Sequence, residues 1–131
     1  MATGKIVRTS NFIEKSVTKT NGIAVSSSDL KYIYNPTTMD GILIGRITTN
    51  TALSANTSTN LIQISDSLRP YFPNGLYANT TGIPVTLHNV NQNKLHRGYY
   101  NSDRQLRYED SQSISGAVVF EIYLPIHLVQ T

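Results

Sequence analysis

The chain has 131 residues, a formal net charge of +3 and no cysteine. This length fits one compact domain with its own core, and the absence of cysteine excludes a disulfide framework and a zinc–thiolate site. Only 15% of the residues are charged and no apolar run is long enough to span a bilayer, so we expect neither a nucleic-acid-binding surface nor a membrane span.

The first 22 residues predict an N-terminal arm or attachment segment. They are polar with scattered apolar residues, and their start lacks the apolar stretch of a secretory signal peptide. A short helical turn within residues 12–19 is the alternative to an extended arm. Asn21-Gly22 is a strong turn signal, which places the boundary of the main domain at residues 23–131.

From residue 23 onward, short apolar runs are stopped by Asn, Gly, Pro or Ser, which is the pattern of β-strands and turns. The run Ile42–Ile47 is apolar on both faces, which predicts that both faces are covered. The predicted strands are Ile23–Val25, Leu30–Tyr34, Ile42–Ile47, Leu61–Ile64, Leu76–Ala78, Val85–Val90, Lys94–Tyr99, Arg104–Tyr108 and Ala117–Leu124. Their number and spacing predict an all-β fold, an antiparallel β-sandwich or jelly-roll-like single domain.

The last predicted strand has the clearest two-residue periodicity. Its even-numbered residues from Val118 to Leu124 are apolar and would face the core, whereas Tyr123 would face outward. We expect Pro125 to end this strand, because proline has no N–H for a β-ladder. Together with the two-sided run, this pattern makes Ile42, Ile44 and Tyr123 candidates for a subunit interface.

Histidines and carboxylates show no recognisable catalytic or metal-binding pattern. His88 and His96 flank a predicted hairpin tip at residues 91–93, where they can share a face, yet two imidazoles make half a metal site. One histidine per chain around a three-fold axis is the open alternative. The acidic residues between 103 and 110 offer paired carboxylates for glycoside hydrolysis, but they lie among turn residues, where solvated charges are the simpler interpretation. We therefore expect no enzyme, no metal and no cofactor.

The segment from His88 to Asp110 is the richest in residues that recognise other molecules. Tyrosine and arginine dominate binding hot spots, because they combine contact area with directional donors, and aromatic rings stack on sugar rings. The alternative is that these tyrosines line a subunit interface while the arginines pair with nearby carboxylates. The candidate ligand-binding residues are His96, Arg97, Tyr99, Tyr100, Asp103 and Arg104.

The order of elements over residues 42–124 resembles a known family. An apolar strand at Ile42–Ile47, a Thr/Asn loop, a strand leading into Leu68-Arg69-Pro70, a hairpin and a Gly-led last strand with Tyr123 occur in this order. This order is similar to the small β-sandwich head domains at the C-termini of bacteriophage tail-fibre, baseplate and head-fibre proteins. Such heads normally follow a long fibrous shaft, whereas residues 1–41 precede the head in this chain.

The resemblance implies a homotrimer of jelly-roll-like subunits in a virion, assembled in the host cytoplasm. The leading prediction is a non-enzymatic adhesion protein, whose trimeric head projects from a phage particle and binds host-surface polysaccharide. Its N-terminal arm would contact other virion proteins, and three copies would raise the avidity of weak single sites. The alternatives are a capsid or tail decoration protein that binds no receptor, and a glycan-acting enzyme.

Overall fold

The computed structural model describes residues 12–27, 29–65, 68–71 and 82–130, and these residues form ten β-strands and no helix. The strands are β1 (Ile13–Ser16), β2 (Lys19–Asn21), β3 (Lys31–Tyr34), β4 (Asp40–Thr49), β5 (Thr59–Ile64), β6 (Leu68–Pro70), β7 (Ile83–Asn89), β8 (Lys94–Tyr100), β9 (Gln105–Tyr108) and β10 (Val118–Gln130). Every strand pair is antiparallel, which confirms the predicted all-β antiparallel fold. Within the described ranges, no helix has the length and apolar character that crossing a membrane requires.

The strands form one curled sheet in the order β1-β3-β4-β10-β7-β8-β9-β5-β2, and β6 pairs with β10 beside this path. The two ends of that order are consecutive in the chain, so residues 13–21 join both edges of the sheet. Between β1 and β2, the Val17 N–H donates to the Leu30 carbonyl oxygen, and the Ser65 N–H donates to the Thr18 carbonyl oxygen. The sheet therefore curls back on itself and encloses a core, which also protects its edges from pairing with other chains.

Residues 12–22, the described part of the expected N-terminal arm, contribute directly to the sheet. They pair as β1 and β2, so residues 13–21 form neither a free arm nor a helical turn. Residues 1–11 and the strand predicted at Leu76–Ala78 lie outside the described residues. The attachment role of the arm therefore stays a prediction for residues 1–11.

The enclosed core follows the two-residue periodicity of the strands. In β10, every even-numbered residue from Val118 to Leu128 is buried, whereas Tyr123 is exposed on the outer face. The largest fully buried side chains are Tyr32, Tyr100, Tyr108, Phe120, Leu30, Leu43, Ile47, Leu53, Leu61, Ile62, Ile64 and Leu87. Burial of each large apolar side chain stabilises the fold by about 1.5–3 kcal/mol. The alternate residues of the same strands remain on the outer face, where ligands have access.

Strand β10 continues through Pro125, so the expectation that this proline ends the strand is wrong. The Tyr71 N–H donates to the His127 carbonyl oxygen on the side of β10 that faces away from β4. Residues two apart in a strand direct their backbone groups to the same side, so the Pro125 nitrogen faces that side as well. There β7 pairs with residues 120–122 and β6 with residues 128–130. In the described part of the chain no strand pairs with Pro125 on this side, so its missing N–H removes no ladder hydrogen bond.

Candidate functional site

The outer face of strands β4, β10 and β7 carries an open groove of about 670 Å³, which we call the outer groove. This volume lies within the range of small-molecule sites. The strand register places Arg46 opposite Glu121 and Glu121 opposite His88, and it places Ile44 opposite Tyr123. The groove is lined by Asp29, Ile44, Gly45, Arg46, Thr86, His88, Glu121, Ile122 and Tyr123. Polar and apolar side chains therefore converge on one concave surface.

Three polar residues of the groove, Arg46, Glu121 and His88, form a charged row across the strands. Arg46 donates from Nε and Nη2 to Glu121 Oε2 at 3.0 and 2.7 Å. His88 Nδ1 lies 2.9 Å from Glu121 Oε1, and His88 Nε2 lies 2.9 Å from Asn93 Oδ1. Both carboxylate oxygens of Glu121 are engaged, so the charged row holds its side chains in defined orientations.

The hydrogen bonds of the charged row favour the ionised form of each titratable member. Those with Asn93 and Glu121 raise the pKa of His88 above its ordinary 6.5. Those with His88 and Arg46 lower the pKa of Glu121 below its ordinary 4.5. A general acid in glycoside hydrolysis needs the opposite shift, because it must still carry its proton near neutral pH. Glu121 is therefore suited to accepting hydrogen bonds from a ligand and unsuited to donating a proton.

Gly45 determines how closely the turn before β3 approaches the groove. Its φ is 138°, and a Cβ atom at this position would lie 1.9 Å from the Asp29 carbonyl oxygen. Only glycine tolerates both the backbone angle and the contact. The turn therefore packs directly on β4, which brings Asp29 to the rim of the groove.

An apolar strip on the outer face borders the groove and consists of Ile33, Ile42, Ile44, Tyr123 and Pro125. The register places Ile33 opposite Ile42, Ile42 opposite Pro125, and Ile44 opposite Tyr123. Tyr123 is 62% exposed, and the three isoleucines are half-buried. The three residues predicted to form a subunit interface therefore share one face, and the covering of that face by another copy stays a prediction.

The predicted ligand-binding residues of β8 are divided between the two faces of the sheet. Arg97 and Tyr99 lie on the outer face, where Arg97 Cζ is 6.0 Å from the centroid of the Tyr99 ring. His96 and Tyr100 face inward, with exposures of 3% and 0%. Tyr100 is inaccessible to a ligand at the surface, whereas the largely buried His96 lines a smaller surface pocket together with Thr86 and Arg97. Arg97 and Tyr99 are the predicted residues of β8 that lie on the outer face.

The remaining predicted ligand-binding residues, Asp103 and Arg104, lie in the turn between β8 and β9. Asn101 Oδ1 holds this turn by accepting hydrogen bonds from the N–H groups of Asp103 and Gln105, at 3.0 and 3.1 Å. Arg104 adopts a left-handed backbone conformation with a φ of 61°. Neither Asp103 nor Arg104 lines the outer groove.

His96 belongs to a buried polar cluster that connects β8 to the end of β9. Its Nδ1 lies 2.8 Å from Asp110 Oδ2, and the Tyr108 hydroxyl donates to the Gln112 carbonyl oxygen. Burial and the charge of Asp110 raise the pKa of Tyr108 to about 12. Asp110 is thus engaged by the core, which does not favour its pairing with a second carboxylate for hydrolysis.

The two histidines of the β7–β8 hairpin face opposite sides of the sheet. The register places His88 opposite Leu95 and His96 opposite Leu87, so the expectation that the two imidazoles share a face is wrong. The third histidine, His127, lies with its Nδ1 2.8 Å from an oxygen of Asp40. Among the described residues, no group of three or more His, Asp or Glu side chains has the arrangement of a metal site.

The charged row was not identified from the sequence. Each member occupies an outward position of its strand, which the two-residue periodicity indicates, but the periodicity does not reveal which strands are neighbours. Arg46 and Glu121 are 75 positions apart, and their contact depends on the pairing of β4 with β10. The sequence therefore indicates that these three side chains are exposed, but it does not indicate that they contact one another.

Comparisons with protein-family models, with curated proteins and with solved structures found no match to this chain. The similarity to phage fibre heads therefore remains an inference from the order of elements.

Proposed function

We propose that this chain is a non-enzymatic adhesion protein of a virion, which assembles as a trimer and binds host-surface polysaccharide. The observation that carries the proposal is the outer groove, where an exposed tyrosine, an apolar wall and the charged row share one open site. A tyrosine ring stacks on the apolar face of a sugar, while carboxylate and guanidinium groups bond its hydroxyls. A groove open at the surface suits one stretch of a long polymer.

Arg97 and Tyr99 extend the groove toward β9. Arg97 lies opposite Thr86, which lines the groove, and its Nε donates to the Glu109 carbonyl oxygen at 3.0 Å. This hydrogen bond holds the guanidinium beside the Tyr99 ring. A polysaccharide longer than the groove would therefore contact Tyr99 after leaving Thr86.

The apolar strip supports self-association. Ion pairs border the strip in two places, where Lys31 is bonded to Glu14 along β3 and β1 and where Arg46 is bonded to Glu121 at one end, each at 2.7 Å. An apolar centre with a charged border is typical of protein interfaces, and paired charges avoid repulsion between identical copies. A neighbouring copy that covers the end of the strip around Ile42 would leave the groove accessible at the other end of the strip, where Ile44 and Tyr123 line it. The number three comes from the resemblance, and residues 1–11 are the proposed attachment to other virion proteins.

Glycan binding tests the adhesive role directly. On an array of bacterial surface polysaccharides, we expect Tyr99→Ala and Tyr123→Ala to weaken binding about tenfold, because each removes an exposed aromatic platform. Tyr71→Ala is the matched control, because Tyr71 is an exposed tyrosine outside the groove. An array without any ligand would contradict the adhesive role.

The mass of the protein in solution tests the assembly. Sedimentation should give a trimer for the wild-type chain and a smaller species for Ile42→Lys, because a lysine in the apolar strip would bury an unpaired charge at the interface. Val25→Lys is the matched control, because Val25 is exposed and lies outside the strip. A wild-type protein that remains a monomer at micromolar concentration would refute this part of the proposal.

A decoration protein without a receptor is the second candidate, and the apolar strip alone favours it. An uncovered apolar surface is sufficient for binding to other copies or to a capsid, with no role for a glycan. In that case Ile42→Lys would lose attachment to particles, while Tyr99→Ala particles would adsorb to host cells as well as the wild type. Host adsorption assays on both variants separate the two candidates.

A further inference from the structure

The two carboxylates of the outer groove are unequally paired. Among the described residues that line it, the cations are Arg46 and, below its raised pKa, His88, and the carboxylates are Asp29 and Glu121. Arg46 directs both Nε and Nη2 to Glu121. Asp29 forms no side-chain hydrogen bond and no ion pair with any described residue. The groove thus presents one carboxylate whose charge no bonded cation neutralises.

We infer that the outer groove selects a saccharide with a free, protonated amino group over its N-acetylated or acidic counterpart. This inference rests on the proposed function and names the ligand class of the same site. An ammonium group donates up to three hydrogen bonds to acceptors such as carboxylates, and it is attracted to the face of an aromatic ring. Asp29 and Tyr123 both line the groove, and both are exposed, so they provide a carboxylate and an aromatic ring beside one site.

The other saccharide classes fit the groove less well. Inside the groove, the carboxylate of an acidic sugar would need a cation, but Arg46 is already bonded to Glu121 and His88 lies 2.9 Å from the same carboxylate. Arg97 lies outside the groove lining and is not available to a sugar beside Asp29. Such a sugar would also lie near the Asp29 carboxylate, and like charges in contact are unfavourable. An N-acetyl group keeps the size of the amino sugar but removes its charge, so it gains nothing from Asp29.

The net charge of +3 acts against a cationic ligand only at long range. At physiological ionic strength, exposed charges are largely screened beyond about 8 Å. Asp29 and Tyr123 line the groove itself, so a ligand bound there lies within that screening distance of both residues. The local carboxylate therefore determines the preference once the ligand is bound.

Calorimetric titration at pH 6 tests the inference. The three ligands are the tetrasaccharides of glucosamine, N-acetylglucosamine and galacturonic acid. We expect the glucosamine tetramer to bind about tenfold more tightly than the N-acetylated one, which corresponds to one ion pair plus one cation–π contact. Asp29→Asn keeps the shape of the side chain and should reduce this preference to about twofold. Asp103→Asn removes an exposed carboxylate outside the groove and should leave the preference unchanged.

A second variant makes the test independent of Asp29. Tyr123→Leu keeps an apolar side chain but removes the ring, so it should also reduce the preference for the glucosamine tetramer. Equal affinity for the two amino sugars, tighter binding of the acidic tetramer, or a preference that survives Asp29→Asn would overturn the inference. Failure of the glucosamine tetramer to bind would overturn it as well. In each of these cases the proposed function stands if the polysaccharide array shows a different ligand, and it falls if the array shows none.

Discussion

The hydroxyl oxygens of Tyr32 and Tyr100 lie 2.6 Å apart inside the curled sheet. Tyr32 belongs to β3 and Tyr100 to β8, and these strands are not neighbours in the sheet. Both side chains are fully buried, so their hydroxyl groups require partners within the protein. This hydrogen bond therefore connects two walls of the fold across the core, which assigns Tyr100 a structural role.

Tyr100→Phe tests this role, because it removes one hydroxyl and retains the ring. We expect the free energy of unfolding to fall by about 1 kcal/mol, the usual contribution of a buried hydrogen bond, while polysaccharide binding is unchanged. Urea denaturation gives the stability and the glycan array gives the binding. Tyr99→Phe, on the outer face, is the control and should change the stability by less than about 0.5 kcal/mol. Loss of binding by a stable Tyr100→Phe protein would return Tyr100 to the ligand-binding site.

His96 and Asp110 provide a second prediction about the core. Asp110→Ala should destabilise the protein by about 1–3 kcal/mol, because it removes the partner of the buried His96 ring at 2.8 Å and leaves Nδ1 only the longer contact with the Tyr108 hydroxyl at 3.3 Å. His96→Phe combined with Asp110→Ala should cost less than the sum of the two single changes, because the double variant leaves no polar ring to satisfy. A double-mutant cycle by urea denaturation measures the difference. Strict additivity would show that the contact contributes nothing to stability.

The two faces of β8 show what the sequence could not reveal. Leu95, Arg97 and Tyr99 point outward, and His96 and Tyr100 point inward. Each face carries one tyrosine and one basic side chain, so neither face is clearly more apolar. The sequence of β8 therefore does not indicate which face is buried. In β10 the alternate residues from Val118 to Leu124 are all apolar, and there the sequence predicted the buried face correctly.

The sequence also could not predict that the sheet closes through the pairing of β2 with β5. All three residues of β2 are exposed, and polar residues without an apolar pattern predict an arm or a loop. They form a strand because β5 offers backbone partners at its edge. Backbone pairing of this kind is set by the tertiary arrangement of the other strands, which local propensity does not encode.

Gly45 and Gly116 form a matched pair for a test of the groove rim. Gly45→Ala would place a Cβ atom 1.9 Å from the Asp29 carbonyl oxygen at a φ of 138°, so we expect a loss of stability greater than about 2 kcal/mol. At Gly116 an added Cβ meets nothing within 4 Å, and Gly116→Ala should change the stability by less than about 0.5 kcal/mol. Thermal and urea unfolding of both variants measure the contrast. Equal stability of the two variants would contradict the close packing of the turn on β4.

The charged row should make stability depend on pH within a defined window. The pKa of His88 is raised, so its contribution is fully present below its ordinary 6.5 and is lost as the pH rises through the raised value. The pKa of Glu121 is lowered, so its contribution is present above its ordinary 4.5 and is lost as the pH falls through the lowered value. Both contributions are therefore complete between pH 4.5 and 6.5.

Glu121→Gln tests this window, because it removes the charge and nearly preserves the shape. We expect the difference in Tm between the wild-type protein and Glu121→Gln to be largest near the middle of the window. The difference should shrink toward alkaline pH, where His88 loses its proton and the wild-type row keeps only the contact with Arg46. Thermal melts across the pH range measure it, with Asp103→Asn as the control for removal of an exposed carboxylate. A Tm difference that is constant with pH, or that grows above the raised pKa of His88, would show that the imidazole does not pair with Glu121 in solution.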